Sequence, residues 1–401
     1  MSDVRLPVLW LSGPSGVGKS SVGWEVFAQL SEAGVTAAFV DADQISLCYP
    51  APEGSTHLVR AGNLAAMVPH FRREGVRCLV LAGFVDDREE VRTYERLLPD
   101  AAFTLRRLRV GRAELEGRFL ARGWRPDLVA DSLAEADALD RSDYAEVCVD
   151  TDGLGVPEAA RLIREGWSHG ASTPTSTPTS TPTPTPTLTP TPTPTSTLTH
   201  RAAGSVPQAE GAPLPVLWFS GATAAGKSTV GYAVFSAIVR SGVRAAYVDV
   251  KQISALREAG HRLKAGNLAA LWAGYRALGA RYLIVSGEAD TDDAVRAYAE
   301  LLPGADVTVC RLHAGPGTLA ERVARRGAGG GPALPGDELK GLDQDALRRV
   351  AERAAREAEA LERAGAGDLR VGTDGRTVAE IATEVQVRGL PRLASTTASG
   401  G

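Results

Sequence analysis

Two stretches hold the residues that could do chemistry: Gly13-Pro14-Ser15-Gly16-Val17-Gly18-Lys19-Ser20 and Gly221-Ala222-Thr223-Ala224-Ala225-Gly226-Lys227-Ser228. Both read G-x-x-x-x-G-K-S. Glycines let consecutive backbone N–H groups curl around an anion, where the positive end of a following helix also points. In such a loop Lys19 or Lys227 reaches the outer phosphates, and the Ser20 or Ser228 hydroxyl ligates Mg²⁺. Gly13, Ser15, Gly16, Gly18, Ser20 and Ser21 are therefore candidates to hold a phosphate tail, as are Gly221, Thr223, Gly226, Ser228 and Thr229. Only five lysines occur in the chain, and two of them sit in these loops.

The flanking residues supply the elements that such a loop needs. Each loop follows an apolar run, Leu6–Leu11 or Leu214–Phe219, that reads as a buried parallel strand. Each precedes a helix, Ser21–Leu30 or Thr229–Val239. Further strands are expected at Val35–Val40, Arg77–Gly83, Phe103–Leu108 and Ala145–Asp150. Helices are expected around Asn63–Glu74 and over Asp87–Leu98, Arg112–Arg122, Asp127–Asp140 and Pro157–Glu165, with a Pro-containing loop over Tyr49–Gly54. Alternation at this spacing predicts an α/β fold, a parallel sheet with helices on both faces.

The second half repeats the first. Gly13 matches Gly221 and Asp41 matches Asp249; after a short deletion Gly62-Asn63-Leu64-Ala65-Ala66 matches Gly266-Asn267-Leu268-Ala269-Ala270. The match continues through Tyr94/Tyr298 and ends at Asp150–Gly153 against Gly372–Gly375. Residues 1–168 and 213–389 thus read as two copies of one domain, followed by a flexible tail, 390–401. Between them, 169–212 is a Thr/Pro/Ser-rich linker whose repeats cannot bury a core. At ~3 Å per residue it would hold the two units up to ~80 Å apart, and each unit is expected to fold by itself.

In a parallel sheet, ligands sit beyond the carboxyl ends of the strands. Asp41 and Asp43 follow the second strand there. One could hold Mg²⁺ through water, with Asp41 the metal candidate, while the other binds an acceptor hydroxyl and takes its proton. A solvated turn with an Asx cap explains the pair otherwise. Asp249 repeats Asp41, and Gln44/Gln252 and Asn63/Asn267 read as acceptor-side residues. Arg118, Arg122 and Arg125, with Arg322, Arg325 and Arg326 in the second copy, could neutralise charge on a transferring phosphoryl group from a mobile lid. A solvated basic helix face is the bland alternative. Asp152 and Asp374 lie in turns where an adenine ring could rest, although helix caps explain them as well.

With 44% apolar and 23% charged residues, the 401-residue chain has a soluble globular composition. A net charge of −4 gives no electrostatic reason to expect nucleic acid or an anionic membrane as partner. Cys48, Cys78, Cys148 and Cys310 lack paired metal-ligand spacing and read as buried free thiols of a reducing compartment. With no run of membrane-spanning length and no secretion-type N-terminus, a cytoplasmic location is expected.

Together these features resemble the P-loop kinases of small molecules: adenylylsulfate, shikimate, gluconate and nucleoside monophosphate kinases. Their phosphate loop matches Gly13–Ser20 and Gly221–Ser228, their D-x-D matches Asp41 and Asp43, their lid arginines resemble Arg118 and Arg122, and their adenine loop resembles Asp150–Gly153. The resemblance covers nearly all of both units and implies two P-loop NTPase domains, ATP and Mg²⁺ as cofactors, and phosphoryl transfer to a small-molecule acceptor. It leaves the acceptor unnamed. The second copy departs from the pattern: Lys251 stands where Asp43 does, Glu288 could substitute after the third strand, and the lid is glycine-rich over Gly327–Gly331. Either that copy acts on another acceptor, or it binds nucleotide without transferring it, as in a regulatory switch. A factor acting on nucleic-acid ends is disfavoured by the acidic balance.

Overall fold

The computed structural model describes residues 5–51, 56–121, 126–142, 144–145, 147–167, 213–257, 259–287, 292–331 and 335–390. Arg122, Arg125, Glu288, the Thr/Pro tract and the tail beyond 390 lie outside them. The first half contributes β1 (Leu6–Ser12), α1 (Lys19–Glu32), β2 (Ala37–Asp41), β3 (Cys48–Tyr49), α2 (Thr56–Arg73), β4 (Cys78–Ala82), α3 (Arg88–Leu97), β5 (Ala101–Arg109), α4 (Arg112–Ala121), α5 (Val129–Asp140), β6 (Val147–Asp150) and α6 (Val156–Glu165). The second contributes β7 (Leu214–Ser220), α7 (Lys227–Arg240), β8 (Ala245–Asp249), β9 (Ala255–Leu256), α8 (His261–Ala277), β10 (Tyr282–Ser286), α9 (Asp292–Ala299), β11 (Ala305–His313), α10 (Pro316–Gly327), α11 (Gln344–Ala364), β12 (Leu369–Gly372) and α12 (Val378–Gly389).

Both sheets are largely parallel and have the same order: β6-β5-β1-β4-β2-β9 and β12-β11-β7-β10-β8-β3. The apolar runs read from the sequence occupy the middle. Leu9 pairs in register with Val80 on one side and Thr104 on the other, and Leu217 pairs with Ile284 and Thr308. Covered on both faces, β1 and β4 need no polar alternation. Under one face, α1 presents Val22, Val26 and Leu30 at helical spacing to a core with Leu9, Leu11 and Val80. The edge strand β6 is different: Cys148 is exposed, so the expected burial of all four thiols fails there.

The outermost strand of each sheet comes from the other half. β3 pairs antiparallel with β8 (Cys48 against Ala246, Tyr49 against Ala245), and β9 pairs antiparallel with β2 (Ala38 against Leu256, Phe39 against Ala255). Tyr247 N–H donates to the Leu47 carbonyl at 2.8 Å, and Arg244 Nε donates to the Pro50 carbonyl at 2.8 Å. The segment at Tyr49 expected as a loop therefore begins as a strand. Below the exchange α2 packs on α8, burying Leu64, Met67 and Phe71 with Leu268, Leu271 and Tyr275 in one core. The helices approach closely: a Cβ on Gly274 would fall 2.5 Å from Asn63 Oδ1. At the matching place, Asn267 Oδ1 accepts from His70 Nδ1 at 3.0 Å. The second half also reaches across at Gly336 (φ 74°), where a Cβ would fall 2.4 Å from the Trp24 indole. The two halves are thus not the independent, distant bodies expected from the sequence. They share a core and exchange edges, with apolar residues of α2 and α8 buried in one cluster.

Candidate functional site

At the first loop the backbone makes a cradle that side chains could not occupy. Gly13, Gly16 and Gly18 adopt φ of 137°, 88° and 107°, a region that L side chains disfavour. A Cβ on Gly13 would meet the Leu108 carbonyl at 2.6 Å, so the chain passes too close to β5 for any other residue. Gly18 then caps α1, whose first residues are Lys19 and Ser20, so the orphan amides of the helix start face the loop. Lys19 Nζ folds back onto the loop, donating to the carbonyls of Gly13 (2.8 Å) and Pro14 (3.0 Å). Ser15 and Ser21 are exposed on either side of the turn.

The second loop repeats this. Gly221 and Gly226 have φ of 138° and 103°, and Lys227 Nζ donates to the carbonyls of Gly221 (2.6 Å) and Ala222 (3.0 Å). Ala224 sits where Gly16 does and still takes a φ of 65°. The same cradle thus occurs at both loops, each with its lysine turned back onto the loop carbonyls.

The carboxylates gather beside the loop. Asp41 ends β2, is 5% exposed, and accepts from the Asp43 N–H at 2.9 Å and from the Ser20 side chain. Burial first, and then the neighbouring Asp43, push its carboxyl up to about 6; the Ser20 and Asp43 N–H hydrogen bonds and Lys19 oppose this. Asp43 is exposed and paired with Arg60 of α2 at 2.7 Å. In the second half Asp249 accepts from Ser228 Oγ (2.7 Å), Ser286 Oγ (3.0 Å) and the Lys251 N–H (3.0 Å). Tyr247 OH lies 2.7 Å from Ser286 Oγ and extends that chain of hydroxyls. Thr229 is exposed one residue beyond Ser228.

Arg118 projects from α4 onto the loop itself. It donates to the carbonyls of Val17 (2.9 Å) and Thr151 (3.2 Å), and pairs with Glu114. Arg322 does the same from α10, to Ala225 (3.1 Å) and Thr373 (3.1 Å). These arginines brace the loop in the structure, while Arg326 is paired with Asp337 at 2.7 Å. Asp152 Oδ1 accepts the Gly111 N–H at 2.7 Å, and Asp374 accepts the Gly315 N–H at 3.0 Å, so both cap the start of the helix that carries the arginine. Asn63 and Asn267, expected on the acceptor side, are engaged with backbone. Both are buried and donate to the carbonyls of Ile45 (2.6 Å) and Ile253 (2.8 Å), holding the turn after the Asp pair.

Three side chains at the site were not singled out from the sequence. Glu135 of α5 places Oε2 2.6 Å from the Ser15 N–H, and Glu357 of α11 places Oε2 3.0 Å from the Thr223 N–H. A carboxylate thus sits on a cradle amide in both halves. Arg60 is the third, an arginine inside an otherwise ordinary helix. Nothing in local spacing marks any of them; only the fold brings them to the loop.

Among the described residues no helix is long and apolar enough to cross a membrane. The chain matches no protein-family model and no curated protein. Solved structures that match include several kinases and a tunicamycin resistance protein, each aligned with only about two fifths of this chain. The Deinococcus radiodurans tunicamycin resistance protein is 19% identical, with a TM-score of 0.30, covering 40% of this chain and 95% of its own. The Mycobacterium tuberculosis APS kinase in complex with AMPPNP and APS is 18% identical, with a TM-score of 0.29, covering 40% and 96%. A gluconokinase from Sinorhizobium meliloti 1021 is 17% identical, with a TM-score of 0.30, covering 41% and 93%.

Proposed function

We propose that this chain binds ATP at both loops and, in the first half, transfers the γ-phosphoryl group to a hydroxyl of a small molecule. The reading takes 1–168 and 213–389 as duplicated P-loop domains joined by 169–212. One observation carries it: at the end of β1 an inward-turned Lys19, a glycine cradle and the Ser20–Asp41–Asp43 cluster meet in one place.

The residues fit the implied groups. The backbone N–H groups of Gly13 and of Ser15 to Ser21, with the Lys19 ammonium, would hold the phosphate tail, Ser20 and Asp41 the Mg²⁺, and the turn at Asp152 the base. Bound there, Mg²⁺ would neutralise charge on the phosphate oxygens. Asp43 orients the acceptor hydroxyl and takes its proton as the acceptor oxygen bonds to the γ-phosphorus and the bond to the ADP oxygen breaks. Lys19, with Arg118 and Arg122 from α4 and beyond, stabilises the equatorial oxygens. Arg60 must release Asp43 for this, so acceptor binding and freeing the base are linked.

For the second half we propose nucleotide binding without transfer on this pattern. Lys251 replaces the base, and Asp249 is held by two hydroxyls. Lys227, Asp249 and Glu288 would then serve a regulatory site, or transfer to another acceptor with Glu288 as base. The test is to incubate the purified chain with MgATP and metabolite extracts and look for a phosphorylated product. Product that disappears in Asp43→Asn supports the reading; bound nucleotide with no product in any extract supports a switch instead.

A further inference from the structure

The acceptor side of the first site is built from carboxylates drawn from separate elements. Asp43 follows β2, Asp86 follows β4, and Glu90 lies in the first turn of α3. Arg60 reaches toward them from α2 but already pairs with Asp43 at 2.7 Å. Glu90 is 4% exposed. Its Oε2 accepts the Asp86 N–H at 2.9 Å, whereas Oε1 is buried without a hydrogen-bond partner. One helical turn on, the Tyr94 hydroxyl is fully buried and also unpartnered. Both lie within electrostatic reach of Arg60.

Two orphaned polar atoms behind an Asp–Arg pair call for explanation, because a buried polar atom left unmatched is costly. Helix capping accounts for Glu90 Oε2 but not for Oε1. A hydroxyl can satisfy both atoms, donating to the carboxylate and accepting from the phenol. An anionic group cannot donate to Glu90, and it would meet Asp43, Asp86 and Glu90 at once. The second half lacks this set: Lys251, Lys264 and Ala294 stand in place of Asp43, Arg60 and Glu90.

We infer that the acceptor of the first site is an uncharged polyhydroxylated molecule of the sugar or cyclitol type, and that Glu90 and Tyr94 grip a hydroxyl next to the one phosphorylated. The inference rests on the phosphotransferase reading above. One acceptor oxygen takes the γ-phosphoryl group, its proton goes to Asp43, and ADP leaves; Glu90 and Tyr94 take no part in bond making and set specificity.

The test uses the full chain with MgATP, reading ADP release and product mass. Neutral probes are D-glucose, D-ribose, myo-inositol and glycerol; anionic probes are D-gluconate, shikimate, AMP and adenylylsulfate. A neutral probe is expected to be phosphorylated with kcat/KM at least about 10-fold above any anionic one. Glu90→Ala should raise the KM for that probe about 10- to 100-fold with the KM for MgATP unchanged. Glu90→Gln, which keeps the Asp86 contact, should shift it in the same direction, and it decides the matter if the alanine variant does not fold. Faster turnover of an anionic probe, or an unchanged acceptor KM in Glu90→Gln, overturns the acceptor class while leaving the kinase reading standing. No product from either set overturns the acceptor class, and the kinase reading falls with it only if metabolite extracts also yield none.

Discussion

Phe71→Ala should loosen both sheets, although Phe71 belongs to the first. The ring is 0% exposed and lies on α2 in the core shared with α8, across from Leu271 and Tyr275. Truncating such a ring leaves a cavity that α2 and α8 cannot close without disturbing the exchanged strands, and the usual cost is about 3–5 kcal/mol. If the shared core makes the two halves one cooperative unit, that cost appears in the opening free energy of both. Hydrogen exchange with mass spectrometry reads it separately in the β1 peptide, Leu6–Ser12, and the β7 peptide, Leu214–Ser220. Both should exchange faster by about two to three and a half orders of magnitude, since each 1.36 kcal/mol is tenfold. Phe71→Leu, a milder change of under about 1.5 kcal/mol, should move both by a smaller, equal amount. A β7 peptide that keeps wild-type protection while β1 loses it would refute the single core.

Other consequences are as specific. Glu135→Gln removes a carboxylate 2.6 Å from the Ser15 amide, where a phosphate tail would sit, and should tighten ATP binding at the first loop by about 2- to 10-fold in calorimetric titration; weaker binding would mean the carboxylate helps hold the loop open. The Asp41 carboxyl is raised from 3.8 to about 6, so the folded state disfavours its charge. That penalty is present above pH 6 and fades as pH falls toward the unfolded value, which corresponds to at most about 3 kcal/mol. Asp41→Asn should therefore raise the urea midpoint of metal-free protein at pH 7.5 and change it little near pH 4; an equal effect at both would contradict the assignment. Gly13→Ala should abolish ATP binding at the first loop, measured against intact binding at the second, because its Cβ would strike the Leu108 carbonyl.

The strand–loop–helix units were legible because each is written in contiguous residues: an apolar run, a glycine turn, a lysine, an amphipathic helix. The central strands β1, β4 and β7 lie where their apolar runs are. What escaped was set by partners far away in the chain. Cys48–Tyr49 and Ala255–Leu256 are strands only because the opposite sheet offers an edge, and two residues have no periodicity to read. Leu64, Met67 and Phe71 look like any inward helix face, and nothing local says that the far side is another helix bearing the same pattern. Cys148 looked buried because β6 is apolar, yet it lies on an open edge. Glu90 falls inside the helix expected over Asp87–Leu98 with nothing local to mark it, and its unpartnered oxygen is visible only in the folded chain.

The most direct measurement is equilibrium binding of MgATP to the full chain and to its Lys19→Ala and Lys227→Ala variants. Two sites per chain are expected, one lost in each single variant and both lost in the double. Absence of affinity for any magnesium nucleoside triphosphate, or two sites that survive both substitutions, would contradict phosphate binding at these loops.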